Sequence, residues 1–386
     1  MTQLEMYDTT LRDGAQGTGI SFSVEDKIKI ALRLDQLGVS HIEGGFPGAN
    51  PKDSEFFAEM RSRPLQKATL TAFGATRRPG VRPEEDIGLG QLLEAGTKVV
   101  TLVGKTWDRQ VRDIIRTELD ENLRMISESI SFLRAQGREV FFDAEHFFDG
   151  YSSNPEYALR CLEAAASAGA TRLILCDTNG GRLPDEVAGL SAYTGERFGE
   201  MLGIHCHNDA GVAVANTLEA VRAGVVQVQG CINGYGERTG NANLCTLIPN
   251  LQLKMGHRVL SDEALRSLTE TATYVAEIAN VAPDAWAPYV GDGAFTHKGG
   301  QHINAVMKAS YAYQHIDPEL VGNRRRVVVS EQAGRATVLF KGAESGIDIE
   351  GDGTLAREIA EQVKQLEYQG YSFEGAEASF EMLIRR

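Results

Sequence analysis

Leu4 to Gly19 reads LEMYDTTLRDGAQGTG, and Ser23 to Gly38 reads SVEDKIKIALRLDQLG. The first piece is a short apolar run that closes on Asp8, Arg12 and Asp13 before a loop rich in glycine. The second is helix-like and stops at a glycine, as helix C-termini often do. Together they make one strand–loop–helix unit, with its charged residues at the carboxyl end of the strand.

The same rhythm runs to about residue 256. Further strand candidates are VSHIEGG (39–45), ATLTAFG (68–74), KVVTLVG (98–104), EVFFDAEHF (139–147), TRLILCD (171–177), LGIHCHND (202–209) and VVQVQGCINGYG (225–236). Helix-like stretches such as TELDENLRMISESISFLRAQG and NPEYALRCLEAAASAGA lie between them. Eight strands, each followed by a helix, predict an α/β fold, a (β/α)8 TIM barrel. A doubly wound open sheet is the competitor, but eight units in this length suit closure. After residue 257 the pattern changes to a helix, then a Pro- and Gly-punctuated stretch, then a strand-like RRVVVS and a last helix. This predicts a barrel over 1–260, a helical linker subdomain over 261–324, and a small α+β subdomain over 325–386.

With 386 residues there is room for one large domain and a smaller appendage. A formal net charge of −14 argues against nucleic-acid binding through phosphate neutralisation and against docking on anionic membranes. No apolar run reaches the length of a membrane span. The leading MTQLEMYD has neither a basic region nor an apolar segment of a secretory signal. Five cysteines with no C-x-x-C pair suit free thiols in a reducing cytoplasm.

In such a barrel, functional groups gather at the carboxyl ends of strands. That rule collects Asp8, Arg12 and Asp13 from strand one and Glu43 from strand two. Strand five supplies Glu145 and His146, and strand six Asp177 and Thr178. Strand seven ends in His205 to Asp209, and strand eight in Glu237, Arg238 and Asn241. Strands three and four end in Gly74 and Lys105 and contribute less. Residues i and i+2 of a strand face the same side, so His205 and His207 point into one space and Cys206 into the other. Two imidazoles so placed chelate a divalent cation, and an Asp from another strand completes a mixed N/O set. That set favours Mg2+, Mn2+ or Zn2+ without choosing among them. An arginine beside it would stabilise a developing alkoxide or enolate. Glu145 reads either as a carboxylate paired to Arg12 or as a catalytic group. Asp8 reads equally as a strand-end cap, and Arg324 to Arg326 as a solvated face or a phosphate contact.

DTTLRDGAQ, HCHND and GYGERTGNANL together resemble the DRE-TIM metallolyase superfamily. EGGFPGANPKD, DAEHFFDGY, AFTHKGGQH and YQHIDPELVGNRRRVVVSE resemble, more narrowly, its (R)-citramalate synthase branch, cousins of the 2-isopropylmalate and homocitrate synthases. The resemblance implies acetyl-CoA and pyruvate as substrates and Asp13, His205, His207 and Asn241 as metal ligands. It implies Arg12 and Glu145 as catalytic groups and Thr178 as the holder of the 2-oxoacid carboxylate. His302 would be the histidine brought by the appended subdomain, with Tyr313, or else Tyr311, beside it. A cytoplasmic homodimer is implied too. Strand ends TAFG, TLVGK and FFDAE offer Phe73, Leu102 and Asp143 as walls near the substrate methyl. Two departures are visible: Asn304 stands where leucine-pathway relatives carry Asp, and the regulatory carboxyl-terminal domain of full-length relatives is expected to be absent.

Overall fold

The computed structural model describes residues 4–347, 349 and 353–386. Residues 1–3 of the amino-terminal stretch lie outside it. Eight parallel strands close into a barrel in sequence order: β1 (Glu5–Asp8), β2 (His41–Gly45), β3 (Thr69–Ala75), β4 (Val99–Lys105), β5 (Glu139–Glu145), β6 (Arg172–Asp177), β7 (Leu202–Cys206) and β8 (Gln227–Gly230). The ring shuts where β8 pairs with β1, from Glu5 against Gln227 to Asp8 against Gly230.

The first helix, α1 (Val24–Leu37), shows how locally the units are specified. Ser23 and Asp26 form a reciprocal capping box at its start, and Gly38 ends it in the left-handed conformation. Inside the barrel, alternate residues of each strand form layers. Glu5 takes Arg172 in an ion pair and accepts a hydrogen bond from Gln227 at 2.9 Å, closing the amino-terminal end. Above this, Tyr7, Val99, Phe141, Ile174 and Cys176 pack as a buried cluster. The carboxyl ends of the strands lie above that core.

The chain divides into two compact units, Met1–Pro283 and Asp284–Arg386. This moves the first boundary expected from sequence. Helices Asp262–Leu265 and Leu268–Ile278 belong to the barrel unit, where Arg33 of α1 donates to Thr271 Oγ1 at 2.9 Å and Asn233 donates to the Ala272 carbonyl at 2.8 Å. The division expected between 324 and 325 is bridged by pairing of β9 (Thr296–His297) with β10 (Arg326–Val327). The second unit is otherwise mainly helical. Its core is built from Val329, Val338, Ala356, Ile359, Val363, Phe373 and Phe380. The Arg324–Arg326 run is partly paired: Arg326 meets Asp292 at 2.6 Å and Arg325 donates to Gln314 at 2.8 Å.

Candidate active site

The carboxyl ends of the strands surround a cavity of about 480 Å³, reached by Arg12, Asp13, Phe73, Val103, Asp143, Glu145, Cys176, Thr178, His205 and His207. Its polar centre is Asp13. One Asp13 oxygen accepts from Asn241 Nδ2 at 2.9 Å, and the other takes Arg12 Nη1 at 3.0 Å. The second oxygen also lies 3.6 Å from His205 Nε2 and 3.7 Å from His207 Nε2. Atoms of Asp13, His205 and His207 that could ligate a metal ion all fall within 4.8 Å of one another, and all three residues are buried.

The local fold explains this convergence. His205 is the penultimate residue of β7, and alternation puts Cys206 on the outer side, near Thr217. His207 pairs with Asn241 through an antiparallel bridge, so the loop after β8 folds back over the barrel mouth. Glycine is required in that loop. At Gly236 (φ 152°) a Cβ would stand 2.1 Å from Asn241 Nδ2, and at Gly240 (φ 88°) it would stand 1.9 Å from the Gly234 carbonyl oxygen.

The electrostatics suit cation binding. Burial works to raise the Asp13 pKa, but Arg12 and then the two imidazoles hold it well below the usual carboxylate range, so it is anionic. Burial, with the neighbouring His205, lowers His207 to about 4 and keeps its ring neutral at pH 7, with a lone pair to give. His205 Nδ1 lies 3.0 Å from Gln229 Oε1, which assigns a proton to Nδ1 and leaves Nε2 as the nitrogen that could ligate. Asn241 Oδ1 is buried without a hydrogen-bond partner. One carboxylate, two imidazoles and an orphaned amide carbonyl are a donor set that fits a divalent cation.

Arg12 is held from three sides. Its Nε donates to Glu43 Oε2 at 2.5 Å, Nη1 donates to Asp13, and the Phe73 ring lies 3.9 Å beneath the guanidinium. The carboxylate partner of Arg12 at the end of a strand is therefore Glu43 of β2, where sequence weighed Glu145. Glu145 instead pairs with Lys105 of β4, a residue given little weight in the sequence. Asp143 lies 3.3 Å from Gln229 Nε2, and burial beside Glu43 raises it to about 8, so it is mainly neutral at pH 7. Thr178 offers its hydroxyl oxygen to the His146 N–H at 2.9 Å while facing the cavity. Asp8 is a strand-end cap, accepting from the Thr10 N–H and hydroxyl at 2.9 Å each.

Among the expected walls, Phe73 and Asp143 line the cavity and Leu102 does not. Successive residues of β4 face opposite sides, and Leu102, fully buried, lies on the side away from the mouth, so Val103 forms the wall. His302 and Tyr313 belong to the second unit. There their rings stack at 4.2 Å and both side chains are exposed; Tyr311 is more exposed, at 85%.

The HMGL-like family profile matches residues 3–275, and the homocitrate synthase post-HMGL domain-like profile matches residues 289–370. The (R)-citramalate synthase of Synechocystis sp. is 54% identical over 100% of this chain and 72% of its own length. The enzyme of that name from Aquifex aeolicus is 54% identical over 99% of this chain and 72% of its own length. The 2-isopropylmalate synthase of Sulfolobus acidocaldarius is 31% identical over 97% of this chain and 94% of its own length. In structure, the HMG-CoA lyase of Bacillus subtilis matches with a TM-score of 0.63 at 20% identity, covering 73% of this chain and 96% of that chain, a likeness of fold.

Proposed function

The chain belongs to the HMGL-like family, in its (R)-citramalate synthase branch, and we propose that its barrel mouth joins acetyl-CoA to pyruvate. The reaction is a Claisen-type condensation followed by thioester hydrolysis, giving (R)-citramalate and free CoA. The observation that carries the reading is Asp13, held by Arg12 and Asn241 and facing both imidazoles of the His-x-His pair.

Asp13, His205, His207 and the Asn241 carbonyl would hold the divalent cation, which when bound supplies Lewis acidity to the ketone of pyruvate. The remaining work falls to this chain's own groups. Thr178 presents a hydroxyl to the 2-oxoacid carboxylate. Phe73, Val103 and Asp143 bound the space beyond. A proton leaves the methyl group of acetyl-CoA; Glu145, which lines the cavity, is our candidate to take it, and His302 is a second candidate that the family resemblance brings, each to be tested by its own variant. The enolate carbon then forms the new C–C bond at the ketone carbon. Arg12, fixed by Glu43, neutralises the negative charge that develops on the former ketone oxygen. That oxygen takes up a proton, and water cleaves the thioester to a carboxylate and CoA thiol.

The same reading makes the enzyme a cytoplasmic homodimer; among the described residues no helix is long and apolar enough to cross a membrane. The test is release of free thiol from acetyl-CoA, measured with pyruvate, 2-oxoisovalerate and 2-oxoglutarate in turn, with chiral chromatography of the product. Turnover on pyruvate giving (R)-citramalate is expected. A preference for 2-oxoisovalerate or 2-oxoglutarate would assign the chain to a sister synthase instead.

A further inference from the structure

Tyr7 carries a phenol into a buried cluster made otherwise of Val99, Phe141, Ile174 and Cys176. It has no exposed surface, and a buried phenol needs a hydrogen-bond partner. It has two. Its hydroxyl donates to Glu43 Oε1 at 2.7 Å and lies 2.7 Å from Thr101 Oγ1. A phenol has one proton and a carboxylate only accepts, so Tyr7 gives its proton to Glu43 and Thr101 donates to Tyr7. Glu43 and Thr101 are as fully buried as Tyr7.

The other oxygen of Glu43 holds Arg12 Nε at 2.5 Å. A carboxylate anchored through one oxygen turns freely about its terminal torsion, which is broad and shallow. Anchored through both, its plane is set, and with it the line along which it holds Nε. Arg12 Nη1 is already committed to Asp13. Among the described residues Nη2 makes no hydrogen bond, while Arg12 lines the cavity, so that amino group is what the guanidinium can turn to a reactant. We propose that Tyr7 is a positioning residue for the condensation: its hydroxyl fixes the plane of Glu43, and Glu43 aims Arg12 at the oxygen that becomes charged. Burial and the adjoining Glu43 raise the Tyr7 phenol well above its ordinary range, so the donor proton is retained throughout the working pH range.

This inference rests on the role assigned to Arg12 above, and the experiment separates the two. Metal-loaded enzyme is assayed by thiol release as wild type, Tyr7→Phe, Arg12→Lys and the double variant, with thermal melting to confirm folding. Small misplacements of a reacting group cost up to about 100-fold, so Tyr7→Phe is expected to lower kcat about tenfold and leave the KM for pyruvate within about twofold. In the Arg12→Lys background the same change is expected to cost less than about twofold, because residues acting as one unit are not additive. Unchanged kcat in Tyr7→Phe, or an equal loss in both backgrounds, would overturn the inference and leave Tyr7 as packing alone. Wild-type kcat in Arg12→Lys would instead overturn the role of Arg12. Should Tyr7→Phe unfold at the assay temperature, Thr101→Val is read in its place. A loss of about twofold to threefold, confined to the background with Arg12 intact, supports the network, and an absent or additive loss refutes it.

Discussion

Shortening Val103 to alanine is expected to open the cavity to a larger 2-oxoacid. 2-Oxoisovalerate carries an isopropyl group where pyruvate carries a methyl, two carbons more. One methylene-sized mismatch in an apolar pocket is worth about 1–3 kcal/mol, so two give about 2–6 kcal/mol, roughly 30-fold to 10⁴-fold in kcat/KM favouring pyruvate. Val103 borders the cavity beside Phe73, Asp143 and Cys176, and Val103→Ala removes two carbons from that wall, the same number that the larger substrate adds. The variant should therefore recover about half the discrimination, about 1–3 kcal/mol, a shift of about 5- to 150-fold in the ratio of the two kcat/KM values. Leu102→Ala is the matched control. Leu102 is fully buried and does not reach the cavity, so its truncation should cost about 2–5 kcal/mol of stability by leaving a void, with the substrate ratio unmoved. Thiol release with each oxoacid gives the ratios, and urea unfolding gives the stabilities. A ratio that shifts in Leu102→Ala and stays fixed in Val103→Ala would refute the assignment of the wall.

Gln229→Met removes the partner of His205 Nδ1 and is expected to weaken divalent-cation binding about 10- to 100-fold by calorimetry, the usual effect of losing the group that orients a ligating imidazole. An unchanged affinity would take His205 out of the ligand set. Lys27 of α1 is buried on Asp53, which also accepts from the Phe46 N–H at 2.8 Å, so Lys27→Met strands a carboxylate and should cost about 3–5 kcal/mol. Adding Asp53→Leu should return part of that loss, and a double variant no more stable than the single one would contradict the buried-charge explanation. His302→Ala is expected to lower kcat about 100-fold or more with little change in the KM for pyruvate, as for loss of a general base. A wild-type kcat would remove His302 from the chemistry.

Much of the molecule is legible along the chain because it depends on near neighbours. The strand–loop–helix rhythm, the Ser23 cap and the Gly38 stop are set within a few residues, and eight such units suffice to indicate a closed barrel. The convergence of the His-x-His pair is legible for the same reason, since alternation along one strand puts both rings on one face. Asp13 could be placed at the mouth from its position just after the first strand. The interior phase of β4 could not be read. Parallel strands are buried on both faces, so KVVTLVG is an unbroken apolar run in which Leu102 and Val103 look alike. Only the closed barrel decides between them. The partner of Arg12 was hidden likewise. Glu43 and Glu145 both lie near the carboxyl ends of strands, and the choice falls to the strand pairing, which sets β1 beside β2 and, through the β4–β5 register, Glu145 beside Lys105. The protonation of Asp143 and His207 belongs chiefly to the tertiary structure. Their ordinary pKa values are displaced chiefly by the loss of solvent, and solvent is excluded by the assembled barrel rather than by any residue near them in sequence.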